Sequence, residues 1–379
     1  VAESEGEEDN AYLSYNVVEG TAMDSLTSIA FEVREYALLS APGAPLKQAL
    51  LDVGIGKDIY GAYEDGIRQP YFDIIAKGAN ADKKDEFVSV IRKVLQDVIT
   101  SGIDKKALEA GINCMEFRYR EADFSSYPKG LIYGLDILGN WLYDDEHPFA
   151  QVELIPVFEK LKSLKNTGYF EELIREYLLD NPHGSVLTLV PSRGLAARKA
   201  KALEDKLADY LNGLSEEEKQ QMVQRTKDLE AYQEAEEDPE AAKCIPMLKR
   251  EDIRKEADKF YNEELDVDGS LFLYHDVPTN GIGYLDLMFD LKSLSPDKVP
   301  YLGLLKSVLG YVNTAHYTYG ELSNEINAET GGIVCGVEVF DRADSVDEYR
   351  AFFGVKGKVM YPKTDVMFCM FREILKTSD

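Results

Sequence analysis

Residues 71–100 read YFDIIAKGANADKKDEFVSVIRKVLQDVIT, and this stretch decides the fold because it places a strand directly before a long amphipathic helix. From Asp85 to Thr100 the apolar residues recur at helical spacing and form one wide face. They are Phe87, Ile91, Val94, Leu95, Val98 and Ile99. Residues 350–376, RAFFGVKGKVMYPKTDVMFCMFREILK, repeat the order with a strand and then a helix from Thr364. The chain therefore holds the same local unit twice.

The elements around these two stretches also recur in order. Residues 11–121 read strand, helix, helix, strand, strand, helix, and residues 283–377 read the same way. The elements expected around the second copy are strands at Leu271–Val277, Tyr284–Leu291, Ile333–Phe340 and Arg350–Val359, and helices at Pro300–Val312 and Tyr319–Thr330. The predicted fold class is α+β, with repeated units of mainly antiparallel sheet and helices on one face. Because the chain stops on an amphipathic helix, we expect it to be a piece of a longer protein.

A charged helical segment separates the two units. The predicted domains are 1–190, a non-catalytic α+β domain, 191–265, a helical hairpin linker, and 266–379, a partial α+β domain. The first linker helix carries an apolar stripe of Leu203, Leu207, Tyr210 and Leu211, and a capping box at Ser215–Glu218 opens the second. The stripe is expected to pack within an antiparallel hairpin that bridges the units. A partner-binding coiled coil is the alternative, although the heptad repeat is not sustained.

Composition narrows the classes of partner. A formal net charge of −27 argues against nucleic acid and against an anionic membrane surface, both of which recruit Lys and Arg, although an acidic field favours basic peptides at long range. No run approaches eighteen apolar residues, so no membrane span is predicted. The cysteines Cys114, Cys244, Cys335 and Cys369 are isolated, which fits a reducing compartment and, for a bacterial source, the cytoplasm.

Motifs for catalysis or metal binding are absent from the sequence. The histidines His147, His183, His275 and His316 are far apart, so metal binding by any of them is disfavoured. The acidic residues Glu263, Glu264, Asp266 and Asp268 lack the glycine of a calcium loop and are interpreted as a solvated linker. No nucleophile elbow, phosphate loop or dinucleotide fingerprint is present. The predicted catalytic, cofactor-binding and metal-binding residues are therefore none.

Several short motifs resemble a known family in their order and spacing. They are Gly43-Ala44-Pro45-Leu46, Gly54-Ile55-Gly56, Arg68-Gln69-Pro70-Tyr71-Phe72, Asn181-Pro182-His183, Leu214-Ser215-Glu216-Glu217, Cys244-Ile245-Pro246-Met247-Leu248 with Asp252-Ile253, Pro278-Thr279-Asn280-Gly281, Pro300-Tyr301-Leu302 and Thr330-Gly331-Gly332-Ile333. Together they resemble the presequence protease branch of the pitrilysin/insulinase (inverzincin) zinc metallopeptidases. The resemblance begins near residue 11 and covers almost all of the chain after it.

This resemblance implies a parent enzyme of four domains, in two halves that close around a peptide chamber. The chain resembles the second domain, the helical hairpin and most of the third domain. The zinc motif H-x-x-E-H of the family lies in the first domain and the substrate-binding Arg and Tyr in the fourth, and no position here matches them. The counterpart of the zinc helix near Lys306–Gly310 has no ligand and is interpreted as a core helix.

Two functions follow as hypotheses of different classes. The first is a central, non-catalytic fragment of a zinc metalloendopeptidase that degrades unfolded peptides, with zinc held by the parent protein and none by this fragment. Its expected partners are peptide substrates and the remaining domains of the same polypeptide. The alternative is a stand-alone, non-catalytic scaffold or binding protein built from the same α+β units.

Overall fold

The computed structural model describes residues 6–236, 239–256, 259, 261–345 and 347–379. The chain forms two compact units. One consists of Gly6–Pro191, here called the first lobe, together with Thr279–Asp379, the second lobe; the other spans Ser192–Pro278. Among the described residues, none of the helices combines the length and the apolar character needed to cross a bilayer. The division of the chain into three domains stays a prediction.

Strands and helices alternate along both lobes. The strands are β1 (Ala11–Val18), β2 (Asp58–Tyr60), β3 (Tyr63–Glu64), β4 (Tyr71–Ala79), β5 (Gly184–Leu189), β6 (Glu263–Val267), β7 (Ser270–Tyr274), β8 (Ile282–Asp290), β9 (Ile333–Asp341) and β10 (Tyr349–Met360). The helices are α1 (Ser25–Glu35), α2 (Pro45–Asp52), α3 (Lys84–Ser101), α4 (Lys105–Glu121), α5 (Lys129–Trp141), α6 (Ile155–Leu164), α7 (Tyr169–Ile174), α8 (Leu195–Gly213), α9 (Glu216–Glu234), α10 (Pro239–Ala242), α11 (Val299–Val308), α12 (Tyr319–Glu329) and α13 (Thr364–Thr377). Helices α1 and α7 each continue into a π-helical turn.

The sheet of the first lobe has the order β2-β4-β1-β5 and is antiparallel, with β3 also paired to β4. Alternate residues of β1, namely Leu13, Tyr15 and Val17, are buried, as expected of a strand with one covered face. Their face of the sheet meets the apolar sides of α1, α2 and α3 in one core. Phe31 of α1 and Phe87 of α3 belong to this core. Helices thus cover one face, as predicted.

The second lobe repeats the connectivity of the first. Its sheet has the order β8-β10-β9, again antiparallel. The second lobe has the chain order β8, α11, α12, β9, β10, α13, which matches the order β1, α1, α2, β2, β4, α3 in the first lobe. The first strand of each series pairs with the last strand of that series, β1 with β4 and β8 with β10. The predicted repeat of element order is therefore confirmed, and the α+β fold class with it.

The two stretches that decided the fold adopt the same local structure. In each, a long strand ends in one turn of 3₁₀-helix, at Ala81–Lys83 and at Tyr361–Lys363, before the amphipathic helix begins. Met367 and Phe371 of α13 pack on the β10 strand in the core of the second lobe. Gly357 permits this packing, because a Cβ there would lie 2.5 Å from Sδ of Met367.

The seam between the lobes is formed by α4 and α12. The Asn113 carboxamide donates hydrogen bonds to the carbonyl oxygens of Asn327, at 2.8 Å, and Thr330, at 2.7 Å. At the end of α12, Gly331 lies so close to the Phe117 ring that a Cβ would approach it to 2.6 Å. Around this buried centre lie charged pairs of Lys106 with Glu325 and of Lys358 with Glu121. The seam therefore has a polar, hydrogen-bonded centre and a charged rim.

One predicted strand pairing is wrong. Leu271–Val277 was expected in the sheet of the second unit, but β7 pairs with β6 in a separate two-stranded sheet. Asp268 and Gly269 connect these strands, and both have positive φ, 52° and 80°. Two such residues form a type I′ turn, which favours a hairpin between adjacent strands. The acidic cluster at residues 263–268 is solvated, as expected, but it belongs to an exposed β-hairpin.

Two packing predictions are also wrong. The stripe on α8 does not pack, since Leu203 and Leu207 are each 56% exposed and neither α8 nor α9 buries a side chain. The reason lies in α9, whose sequence offers no continuous apolar face to receive the stripe; its predicted capping box at Ser215 is confirmed. Helix α11 is not a core helix, because none of its residues is fully buried, although Leu302 packs, partly buried, against the core of the second lobe. Its apolar residues surround the helix and give no single face to bury.

Candidate functional site: an acidic cavity in the first lobe

A cavity of about 680 Å³ lies in the first lobe. Its wall is built from α1, the segment Gly61–Gly66, the end of α4, α5 and residues 151–158. This volume falls within the range of pockets that bind small molecules or a few residues of a peptide. The deepest parts of the wall are apolar, with Ile29, Leu154 and Phe158 among the buried lining residues.

Helix α1 contributes two carboxylates to the cavity. Asp24 caps the helix, accepting a hydrogen bond from the backbone N–H of Leu26 at 3.1 Å. Glu32 and Glu35, three residues apart, share one side of the helix and are half-buried in the cavity wall. The hydroxyl of Ser40 donates a hydrogen bond to Glu35 Oε1 at 2.6 Å. The amphipathic pattern of α1 thus fixes where its acids point.

The opposite side of α1 is anchored by a buried ion pair. Nη2 of Arg34 lies 2.6 Å from Oε2 of Glu19, and both side chains are fully buried. The guanidinium lies over the rings of Phe31 and Phe72, at 4.7 Å and 5.1 Å from their centroids. Burial raises the pKa of Glu19, and Arg34 opposes that rise. Because this pair links α1 to the end of β1, it holds the cavity acids in place.

Asp65 and Asp136 bring two further carboxylates to the cavity lining, and Arg118 brings one guanidinium. All three are solvent-exposed residues, so they lie on the open side of the cavity. No ion pair joins Arg118 to any of these acids among the described residues. With four carboxylates and one guanidinium, the lining has an excess of negative charge.

The electrostatics of the acids reflect this excess. Burial, together with the neighbouring Asp65 and Glu35 carboxylates, raises the pKa of Glu32 to about 7, against the opposing effect of Arg118. Although Asp65 and Asp136 remain exposed as whole residues, loss of water around their carboxylates raises the pKa of both. Burial also raises the pKa of Glu35. The cavity thus holds carboxylates that a cation would stabilise in their ionised form.

Asn140, near the end of α5, is the most buried polar residue of the lining, at 2% exposure. Its Nδ2 donates to the carbonyl oxygen of His147, which fixes the orientation of the carboxamide. Its Oδ1 is buried and accepts no hydrogen bond within the described part of the chain. A buried acceptor without a donor is costly to the folded state.

The histidines singled out in the sequence do not converge on this cavity or on one another. His147 pairs with Asp144 at 2.9 Å, and His316 pairs with Glu373 at 3.0 Å. Among the described residues, no group of three or more His, Cys, Asp or Glu is placed to hold a metal ion. The cavity lining includes neither imidazole nor thiolate, so it does not fit the zinc of the implied family.

Sequence reasoning missed the cavity because its acids come from three distant segments. Glu32 and Glu35 have helical i, i+3 spacing, but nothing local connects them to Asp65 or Asp136. The prediction that the chain has no site residues stays a prediction.

Comparison with known proteins supplies the family. The model of the associated domain of peptidase family M16, subfamily C, matches residues 189–379, and the chain belongs to this family of the pitrilysin/insulinase peptidases. The resemblance to presequence proteases is confirmed by curated relatives. Protein HypA of Clostridium perfringens is 38% identical over 379 residues, covering all of this chain and 39% of that protein. Presequence protease 1 of Arabidopsis thaliana is 30% identical over 367 residues, covering 93% of this chain and 33% of that protein.

Solved structures of the same superfamily are similar at lower identity. The match to the crystal structure of pitrilysin covers 97% of this chain and 36% of the pitrilysin chain, at 15% identity and a TM-score of 0.41. The match to the peptidase M16 inactive domain from Pseudomonas fluorescens covers 49% of this chain and 42% of that chain, at 14% identity and a TM-score of 0.35. The chain thus spans between a third and two fifths of the length of the two curated relatives.

Proposed function

We propose that this chain is the central, non-catalytic part of a zinc-dependent metalloendopeptidase that degrades unfolded peptides inside a closed chamber. The observation that carries the proposal is the alignment of 93% of this chain with one third of presequence protease 1. In this proposal the catalytic zinc and its ligands belong to the remainder of the polypeptide. This chain supplies two α+β lobes and the segment Ser192–Pro278 between them.

A comparison of two proteins tests the proposal: the 379-residue chain, and a longer polypeptide that carries it with flanking sequence to the length of the curated relatives. We expect the longer protein to bind zinc and to cleave an unfolded peptide, and to lose cleavage when a chelator removes the metal. The 379-residue chain alone should cleave nothing. Chelator-sensitive cleavage by the short chain would contradict its non-catalytic role. A long protein without zinc or cleavage would favour a scaffold.

A further inference from the structure

We propose that one side of the second lobe is a docking surface for a further segment of the same polypeptide, beyond Asp379, which adds a strand to β8 and packs amphipathic helices on α11. This surface, here called the open side, consists of the unpaired edge of β8 and an exposed apolar stripe on α11. That the segment belongs to the same polypeptide rests on the proposed function. That the open side takes a cover of this kind rests on the two lobes themselves.

The first argument is the apolar surface of α11. Leu302 faces inward and packs, partly buried, against the core of the second lobe. A second apolar set has the i, i+3, i+4, i+7 spacing of one helix face and stays exposed; it consists of Tyr301, Leu304, Leu305 and Val308. A helix with apolar residues on both sides is typical of an element that packs on both sides. The outer stripe is therefore a surface that a partner covers.

The second argument is the counterpart of α11 in the first lobe. Helix α1 holds the same place in the order of elements, and it packs against α4, α6 and α7, which all follow α3 in the chain. Phe31 of α1 meets the ring of Tyr177, just after α7, edge to face with the centroids 4.9 Å apart. As a result α1 buries six of its side chains, whereas α11 packs mainly on β9 and the turn before it and buries none. The repeat therefore assigns helices equivalent to α4, α6 and α7 to the outer stripe of α11.

The third argument is the edge of the sheet, and it is independent of apolar surface. Strand β1 pairs on one side with β4 and on the other with β5, which follows α7. Its counterpart β8 pairs, within the described residues, with β10 alone, so one edge of a nine-residue strand has unpaired backbone groups. The segment that supplies the helices would thus also supply an antiparallel strand for β8.

The repeat also says where no strand is added. The other edge strand of the second lobe, β9, corresponds to β2, whose outer edge is likewise unpaired in the described part of the chain. The added strand therefore belongs at β8 and not at β9. The curated relatives, of which this chain spans between a third and two fifths, have the length for such a segment.

The test compares hydrogen exchange, followed by mass spectrometry, in the 379-residue chain and in the longer polypeptide that continues past Asp379. We expect the outward amides of β8 and the amides of α11 to exchange at least about tenfold more slowly in the longer polypeptide, because they become paired or covered there. The outward amides of β9 should exchange at the same rate in both proteins. The 379-residue chain should sediment as a monomer, which separates this segment from a second copy as the occupant.

A substitution on the outer stripe locates the contact. Leu304→Asp places a charge where the added helices would pack, so in the longer polypeptide it should return the exchange of α11 to the rate of the short chain. In the short chain it should change little, because the side chain is 64% exposed.

The matched control is Val334→Asp, at a side chain of the same lobe that is 63% exposed. Val334 lies between the core-facing Ile333 and Cys335 and opposite Lys356, on the other face of the sheet. This variant should leave the exchange of α11 and β8 unchanged in both proteins.

Equal exchange of β8 and α11 in the two proteins, or full protection of α11 in the longer Leu304→Asp variant, would overturn the inference. Slow exchange of both elements already in the short chain would overturn it too, and a dimer there would identify a second copy as the cover. Failure of the proposed function is read separately, from zinc binding and cleavage. A longer protein that cleaves peptides but leaves β8 and α11 open would keep the function and lose this docking surface.

Discussion

Replacing Glu32 by glutamine should make the protein more stable at alkaline pH and leave it unchanged at acidic pH. Burial raises the pKa of Glu32 from 4.5 to about 7 in the folded chain. Between these values the folded state binds more protons than the unfolded state, so the free energy of unfolding falls as pH rises. This difference of about 2.5 in pKa corresponds to ~3 kcal/mol, at about 1.36 kcal/mol for each pKa unit. Residual solvent contact of the half-buried side chain lowers the expected effect to about 2 kcal/mol.

The assay is thermal unfolding followed by circular dichroism and by the fluorescence of Trp141, the single tryptophan, between pH 4.5 and pH 8.5. At pH 8.5 the variant should unfold roughly 4–8 °C above the wild type, given the usual conversion for a lobe of this size. The difference should shrink through pH 7 and vanish near pH 4.5. Glu230→Gln, on the exposed face of α9, makes the same change of charge and should show no such trend. A pH-independent difference, or a variant less stable at pH 8.5, would refute the argument.

Three further predictions concern packing. Arg34→Met should destabilise the first lobe by about 3–5 kcal/mol because it leaves the buried Glu19 unpaired, and adding Glu19→Gln should recover part of that loss in urea unfolding. Asn113→Ala should cost about 1–3 kcal/mol, seen as faster proteolysis at the seam, because it leaves the buried carbonyl oxygen of Thr330 and the partly buried one of Asn327 without this donor, whereas Lys106→Met at the exposed rim should cost less than about 1 kcal/mol. Leu207→Asp should change stability by less than about 0.5 kcal/mol, because the side chain is largely exposed; a cost of several kcal/mol would show that the residue packs.

Local patterns explain which parts of the fold were predictable. The helix of residues 85–100 and its counterpart after Thr364 carry wide apolar faces, and each follows a strand, so periodicity alone locates them. The order of elements then gives the repeat. The order of the strands within each sheet comes from the structure and not from this pattern.

The predictions that were wrong depended on contacts between distant elements, which a local sequence pattern does not show. The apolar stripe of α8 was interpreted as a buried face, but burial needs a partner surface and α9 does not offer one. The β6–β7 hairpin did have a local signal, Asp268-Gly269, which was read as part of an acidic linker. The acidic cavity combines α1 with Asp65 and Asp136, residues that only the tertiary fold brings together.

The seam between α4 and α12 has a consequence for how the chain is made on the ribosome. Asn113 and its partner Thr330 are separated by 217 residues, so at about 5–20 residues per second roughly 10–40 s pass between their synthesis. During that interval α4 has no α12 to contact, and its seam surface faces water. A surface whose centre is a carboxamide and whose rim includes Lys106 and Glu121 stays hydrated without attracting other nascent chains, as a wholly apolar surface would. The polar seam therefore keeps the exposed side of α4 hydrated until α12 has been synthesised.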